Sequence, residues 1–454
     1  MRLLARLAPA VACVVASAAL IVQSAAAQSI LRDAETEALF HDMATPLVKA
    51  AGLDPRNVDV VLVGDRSVNA FVAGGQVVYV NAGLINMADS AEQVQGVIAH
   101  ELGHITGGHI ISDSGGKAAS NISILSLLLG AAAAVAGAGD AAMGVMMAGQ
   151  QAALGKYLAF NRAQESSADA AGAQFLSDAG MSGRGSLEFF KKLQNMEYRY
   201  GYTVRGDDAF FTTHPVTADR IATLSDVYEK DPAWLKPSPP ELEARYQRVK
   251  AKLFGYLADP ADTLRTYPET MTGVPARYAR AYAWHKDSRL DKALAEADAL
   301  LATNPDDAYF LELKGQILLE SGKAADALGP LRRATELTGN QPLIATLFGH
   351  ALIATEDRAH FAEAERVLKA SVVRDRGNPF AWYQLGMIYA AQGDLPRARL
   401  ASAEQQVLSG NMNAALRSAE AAEAALPTGS ADWLRAQDIA FQARAAIERA
   451  RKRK

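Results

Sequence analysis

The sharpest chemical signal in the chain is His100-Glu101-Leu102-Gly103-His104. Histidines four apart on a helix point the same way, one turn apart, and share one metal ion. A glutamate beside the first of them reaches the water on that metal. With 8 histidines in the chain, chance supplies on the order of 0.01 such matches. A closed structural zinc site takes four protein ligands and has no use for an idle glutamate. The spacing therefore points to metal-assisted hydrolysis.

A third ligand is needed, and zinc peptidases supply it in two ways. One adds a histidine in the pattern HExxHxxGxxH. Gly107 fits that pattern, but the histidine position holds Ile110. His109 is one residue early, about 100° away around a continuing helix, so it reads as a helix-end or surface histidine. The other way takes a glutamate from a second helix. Asn161-Arg-Ala-Gln-Glu165-Ser-Ser-Ala-Asp169 offers it, with Glu165 and Asp169 one turn apart on one face. Glu165 is the expected ligand. Asp169 is expected to orient a ligating histidine through its outer nitrogen.

These residues need elements to hold them. Ser90, with Gln93 three residues later, is a capping box that opens a helix. Val94, Ile98, Leu102 and Ile105 then follow at helical spacing. Upstream, Asp59-Val-Val-Leu-Val and Gln76-Val-Val-Tyr-Val are short β-branched runs separated by turn residues. The fold class is α+β, mainly helical: a metallopeptidase domain with a small sheet over 28–257, then a linker over 258–275 rich in proline. Within the domain, 118–149 contains an uncharged stretch from Ile122 to Ala138. It reads as an apolar lid or membrane-facing segment. The competing reading is a spanning helix, which takes about 20 apolar residues.

The 454 residues, half of them apolar and a fifth charged, describe a folded chain of more than one domain. A net charge of −4 and the absence of any nucleic-acid motif argue against a nucleic-acid partner. Residues 1–27 read as a signal peptide: Arg2 and Arg6, an apolar run from Val11 to Val22, then Ala25-Ala26-Ala27 before Gln28. An uncleaved anchor is the alternative, and the surroundings of Cys13 fit a lipidation box poorly. Cys13 is the only cysteine and leaves with the signal, which excludes disulfides and thiol catalysis. The expected compartment is a bacterial periplasm.

Residues 276–454 repeat. Ala293, Ala327, Ala364 and Ala398 recur at separations of 34, 37 and 34, and Asn304-Pro305, Gln341-Pro342 and Asn378-Pro379 at 37 and 37. A period of 34 with prolines closing each unit is the tetratricopeptide signature. Repeats are expected at 276–307, 308–342 and 380–413, with a longer one at 343–379 carrying an insertion around Asp357 to His360. Gly322 and Gly393, each five residues before a repeated alanine, are expected to let helices approach. Such an all-α solenoid offers a concave face to proteins or peptides. The closing Arg449-Ala-Arg-Lys-Arg-Lys454 reads as a solvated tail.

HExxH, ExxAD about 60 residues on, and Thr213-His214-Pro215 with Arg220 together resemble the gluzincin family of the CAAX prenyl protease and the heat-shock membrane protease. Asn69-Ala70-Phe71, Gly74-Gly75 and Asn81-Ala-Gly83-Leu84 match that family's stretch before the metal helix. A signal peptide, one such domain and C-terminal repeats resemble its periplasmic members. The membrane members have several clear spans. The resemblance implies one Zn2+ per chain on His100, His104 and Glu165, with Glu101 as general base. It implies two roles for His214: a regulatory fourth ligand that holds the enzyme inactive, or a stabiliser of the oxyanion, a role shared with Arg220. It also implies that Gln76, Val77, Val78, Tyr79 and Val80 form the edge strand that receives an extended peptide. The implied substrates are misassembled outer-membrane proteins. The outer-membrane assembly machinery would dock on the repeats, and membrane contact would be peripheral. Two other readings stand beside this one: a chaperone-like scaffold whose repeats carry the function, and an integral-membrane protease.

Overall fold

The computed structural model describes residues 30–109, 139–200, 214 and 217–452. The signal-peptide reading, and the 118–138 part of the apolar segment, lie outside the described residues. The chain divides into two units. One holds the described residues up to Leu31 together with Glu37–Tyr246; the other holds Arg32–Thr36 and the chain from Gln247 onward.

In the first unit the β-branched runs become strands. They are β1 (Ile30–Leu31), β2 (Asp59–Val63), β3 (Ala70–Ala73) and β4 (Val77–Asn81). Their order in the sheet is β1-β2-β4-β3. β1 and β2 run antiparallel, β2 and β4 parallel, and β3 and β4 antiparallel. Val78 and Val80 are fully buried, with Leu62 and Ala70. Phe71 and Tyr79 stack on the opposite face, ring centroids 5.1 Å apart. This order corrects one expectation. Val77–Val80 is not an edge: both sides of β4 are already paired, and the Gln76 carbonyl accepts from the Asp59 N–H. The parallel pair β2–β4 is the most buried part of the sheet, and parallel strands are driven inside. Among the described strands, β3 carries the free edge on this side.

The helices of this part of the chain are α1 (Ala34–Ala50), α2 (Ala82–Met87), α3 (Ala91–Thr106), α4 (Gly139–Asp178), α5 (Arg184–Tyr200), α6 (Ala218–Glu229) and α7 (Pro240–Leu257); α2 and α3 pack on the sheet, and α4 and α5 pack on α3. Ser90 starts α3 by accepting from the Gln93 N–H. Gln93 in turn accepts from the N–H of Asp89, one residue earlier than a simple capping box would have it. From Gln93 to His104 every residue of α3 is buried, so the metal helix runs through the middle of its unit. Residues 139–149 of the apolar segment belong to α4. Among the described residues no helix is long and apolar enough to cross a membrane.

The second unit is a stack of helix pairs. After α8 (Pro260–Thr266) come α9 (Val274–Lys286) with α10 (Leu290–Thr303), and α11 (Ala308–Glu320) with α12 (Ala324–Leu337). α13 (Pro342–Ala354) then pairs with α14 (Phe361–Arg374), and α15 (Pro379–Gln392) with α16 (Leu395–Leu408). The last pair is α17 (Met412–Glu423) with α18 (Ala431–Lys452). Two of the three prolines of 258–275 mark helix starts: Asp259 caps α8 with Pro260 in its first turn, and Pro275 opens α9, while Pro268 lies between the two helices. The insertion before α14 is a 3-10 turn, Arg358–His360, capped by Asp357. Ala293, Ala327 and Ala364 are sealed in the core and Ala398 packs at its margin. Gly322 and Gly393 do something other than expected. Both take positive φ and have open space around them, so they end helices. The close approach falls at Gly315 and Gly349, against Leu331 and Leu368 of the partner helix. The expected tail continues α18 as exposed helix to Lys452.

Candidate active site

Two bare positions let α3 and α4 touch. A Cβ on Gly103 would sit 2.6 Å from the Ala168 carbonyl oxygen, and one on Gly172 would sit 3.1 Å from the Ala99 backbone. Ala168, between Glu165 and Asp169, is fully buried in this crossing. The contact brings both carboxylates level with the two histidines. His104 Nε2 lies 3.1 Å from His100 Nε2. Glu165 places Oε2 3.5 Å from His100 Nε2 and Oε1 3.3 Å from His104 Nε2. His214 adds Nδ1, 3.1 Å from Glu165 Oε1 and 3.4 Å from His100 Nε2. All four residues are buried, and one donor atom from each falls within 4.8 Å of the others.

This donor set fits a metal ion. Imidazole nitrogens that face each other at 3.1 Å repel unless a cation or a proton sits between them. Three nitrogens and a carboxylate are the donors that zinc takes. Glu101 Oε1 is buried without a hydrogen bond, and His214 Nε2 lies 3.6 Å away. A buried carboxylate oxygen with no donor is costly, and a metal-bound water would satisfy it.

A second layer of charge supports the first. His100 Nδ1 lies 2.9 Å from Asp169 Oδ1. Arg220 Nε and Nη2 donate to Asp169 at 2.7 and 2.8 Å, and its Nη1 lies 2.9 Å from Glu165 Oε2. Thr217 fixes the start of α6 by accepting from the Arg220 N–H. Phe190 of α5 closes the back of this layer. Its ring meets His100 edge-on at 6.1 Å and lies 5.2 Å beneath the guanidinium carbon of Arg220. No sequence signal singled out Phe190. Arg220 thus departs from its expected role at the oxyanion: all three of its nitrogens are committed to carboxylates behind the ligands.

The electrostatics favour a cation. Burial opposes the charged form of His100, yet Asp169 and Glu165 hold its pKa up to about 10. Burial also works to raise Glu165 and Asp169. The histidines around Glu165, and His100 and Arg220 around Asp169, outweigh it, holding Glu165 well below the usual carboxylate range and lowering Asp169 as well. His100 would give up a proton to ligate a metal ion here, so loading would release protons.

His109 lies just past the end of α3 and outside the donor group, the helix-end place read for it. The surface alternative fails: its Nδ1 lies 2.8 Å from His104 Nδ1. Burial, then the neighbouring His104, pushes its pKa below the ordinary value.

Residues 31–228 match the model of peptidase family M48. This segment is similar to that family's peptidase domain. Over 405 residues the chain is 26% identical to the beta-barrel assembly-enhancing protease of Yersinia pestis, covering 86% of this chain and 80% of that one. It is 25% identical over 380 residues to the protein of that name from Escherichia coli K12, covering 81% and 75%. It is also similar to the crystal structure of YrrB, a TPR protein with an unusual peptide-binding site. That likeness is 20% identical, spans 40% of this chain and 94% of the other, and has a TM-score of 0.32. The matched segment spans His100, Glu101, His104, Glu165, Asp169, His214 and Arg220. The protein is a metalloprotease, with an α+β catalytic unit and an all-α helical-repeat unit.

Proposed function

We propose that this chain is an exported zinc endopeptidase of the periplasm, held in check by His214, that acts in assembly and quality control of outer-membrane β-barrel proteins. The observation that carries the reading is the buried convergence of His100, His104, Glu165 and His214 beside Glu101 Oε1, which is buried without a hydrogen bond. Zinc, when bound, supplies Lewis acidity that acidifies a water and polarises a peptide carbonyl. Glu101 takes the proton of the attacking water and passes it to the leaving amine. Asp169 holds His100 in its ligating orientation, and Arg220 keeps Asp169 and Glu165 in place. His214 occupies a fourth donor position that water or substrate needs, which supports a self-inhibited resting state; the oxyanion role is open to it once displaced. With β4 internal, an extended substrate pairs along β3, Ala70–Ala73, where backbone hydrogen bonds ask little of substrate sequence.

The assembly role comes from the relatives' names. The helix pairs are the surface for protein partners, including the outer-membrane assembly machinery. Periplasmic location rests on the signal read in residues 1–27.

The test is zinc content and casein cleavage by the chain from Gln28, as wild type, Glu101→Gln and His214→Ala. We expect about one zinc per chain. Glu101→Gln should keep the metal and lose about 10²–10⁴-fold in cleavage, while His214→Ala should gain. Normal cleavage by Glu101→Gln refutes the assigned base. Zinc without cleavage in any form moves the function to the repeat unit as a scaffold.

A further inference from the structure

The end of α3 is a metal ligand and its capping motif at once. The Gly107 N–H bonds the Gly103 carbonyl at 2.9 Å, the Gly108 N–H bonds Ile105 at 3.1 Å, and the His109 N–H bonds His104 at 3.1 Å. Gly108 sits in the left-handed region, φ 64°. This is the helix ending in which the residue after the left-handed one folds back onto the residue five before it. That pair is usually apolar. Here it is His109 on His104, ring centroids 4.9 Å apart and tilted by 74°. A Cβ on residue 107 would lie 2.5 Å from His109 Nε2, so only glycine leaves the ring room to lie across the helix end.

The contact is polar as well as packed. Two imidazole nitrogens at 2.8 Å need one hydrogen between them. His104 Nε2 points into the donor cluster, where a ligand must offer a lone pair. Its proton therefore sits on Nδ1, and His109 Nδ1 accepts it. His100 has its own outer-nitrogen partner in Asp169.

We propose that His109 is a positioning residue for the metal centre: by accepting the Nδ1 proton of His104 it fixes the tautomer and ring angle that present Nε2 to the ion. This rests on the metal-centre reading above. The expected share is that of an outer partner of a ligating histidine, about 10–100-fold in metal affinity.

The experiment measures Zn2+ affinity of the chain from Gln28 by competition with a chromophoric chelator, and the melting temperature of the metal-free protein. The variants are His109→Ala, His109→Phe and His109→Asn. Phenylalanine keeps the packed ring and removes the acceptor. Asparagine places an amide oxygen where Nδ1 was. Alanine and phenylalanine should each weaken zinc about 10–100-fold, asparagine should restore most of it, and the metal-free His109→Phe protein should melt as wild type does. Wild-type affinity in His109→Phe overturns the proposal, because packing alone would then suffice. So does asparagine as weak as alanine, a comparison that stands even if phenylalanine misfolds. A wild type that binds no zinc fails one step earlier and sinks the metal-centre reading itself.

Discussion

Two regions of this molecule bury charge, and they do it in opposite ways. In the catalytic unit, His100, His104, Glu165 and His214 aim donor atoms at one common point. In the repeat unit, Asp33 and Glu35 meet Arg248 and Lys252 head-on. Arg248 Nε bonds Glu35, and its Nη1 bonds Asp307 at 2.6 Å. Lys252 bonds Asp33 and, at 3.3 Å, Glu35, while the Tyr278 hydroxyl donates to Glu35 at 2.8 Å. The residue types overlap, but the geometry does not. A cluster whose cations and anions face one another is closed, and Asp33 held low with Lys252 held high is its signature. A cluster of lone pairs converging on one point lacks a cation. The lesson is that burial and perturbed titration alone do not mark a metal site; the direction in which the donor atoms point does.

The largest effect should come from breaking the closed cluster. Lys252→Met leaves Asp33 without its cation and takes one of the two cations from Glu35, which keeps Arg248; breaking such a buried pair costs about 3–5 kcal/mol. Urea unfolding followed by circular dichroism reads it, and zinc affinity should not move. A loss of about 1 kcal/mol or less, the worth of a surface pair, would mean that water already shares this network and that the contrast is weaker than drawn. The open cluster should respond in the other currency. Asp169→Asn takes the carboxylate from His100 Nδ1 and from the Arg220 fork, and zinc affinity should fall about 10–100-fold. Unchanged affinity in the chelator competition would show that His100 needs no outer partner.

What was legible in the sequence was local and periodic. His100 and His104, then Glu165 and Asp169, stand one helical turn apart, and helical spacing alone puts each pair on one face. The Ser90 cap and the repeated alanines depend on neighbours a few residues away. The misses all required knowing how the chain turns or pairs at a distance. His109 was placed about 100° off the ligand face on the premise of a continuing helix. The helix stops at Thr106, and the Gly107-Gly108 pair swings His109 back onto His104. Those two glycines were the signal that could have found it. β4 was taken for an edge on the family resemblance, and strand order, set by non-local pairing, could not be checked in the sequence. Arg220 was placed at the oxyanion on the family resemblance. Only the three-dimensional crossing shows Asp169 and Glu165 occupying all its nitrogens. In the repeats, the last pair, α17 and α18, carries no proline at the start of its first helix and so broke the period on which the others were found.

The smallest expected effect tests whether the closed cluster is fully closed. Glu312 Oε2 is shut off from solvent without a hydrogen bond, although the side chain as a whole is half-buried. Burial pushes its pKa up from 4.5 to about 8; Lys252 pulls the other way, and Asp33 and Glu35 add to the rise. The folded chain then keeps a proton that the unfolded chain releases once pH exceeds about 4.5, so stability falls as pH rises through the window up to about 8. Allowing for partial exposure, the fall is on the order of 1–3 kcal/mol. Glu312→Gln removes the titration and keeps the shape. Its urea midpoint between pH 5 and 8 should decline less than that of the wild type, and at pH 8 the variant should be the more stable protein. Parallel curves would place the charge of Glu312 in water, and the cluster would then end at Lys252.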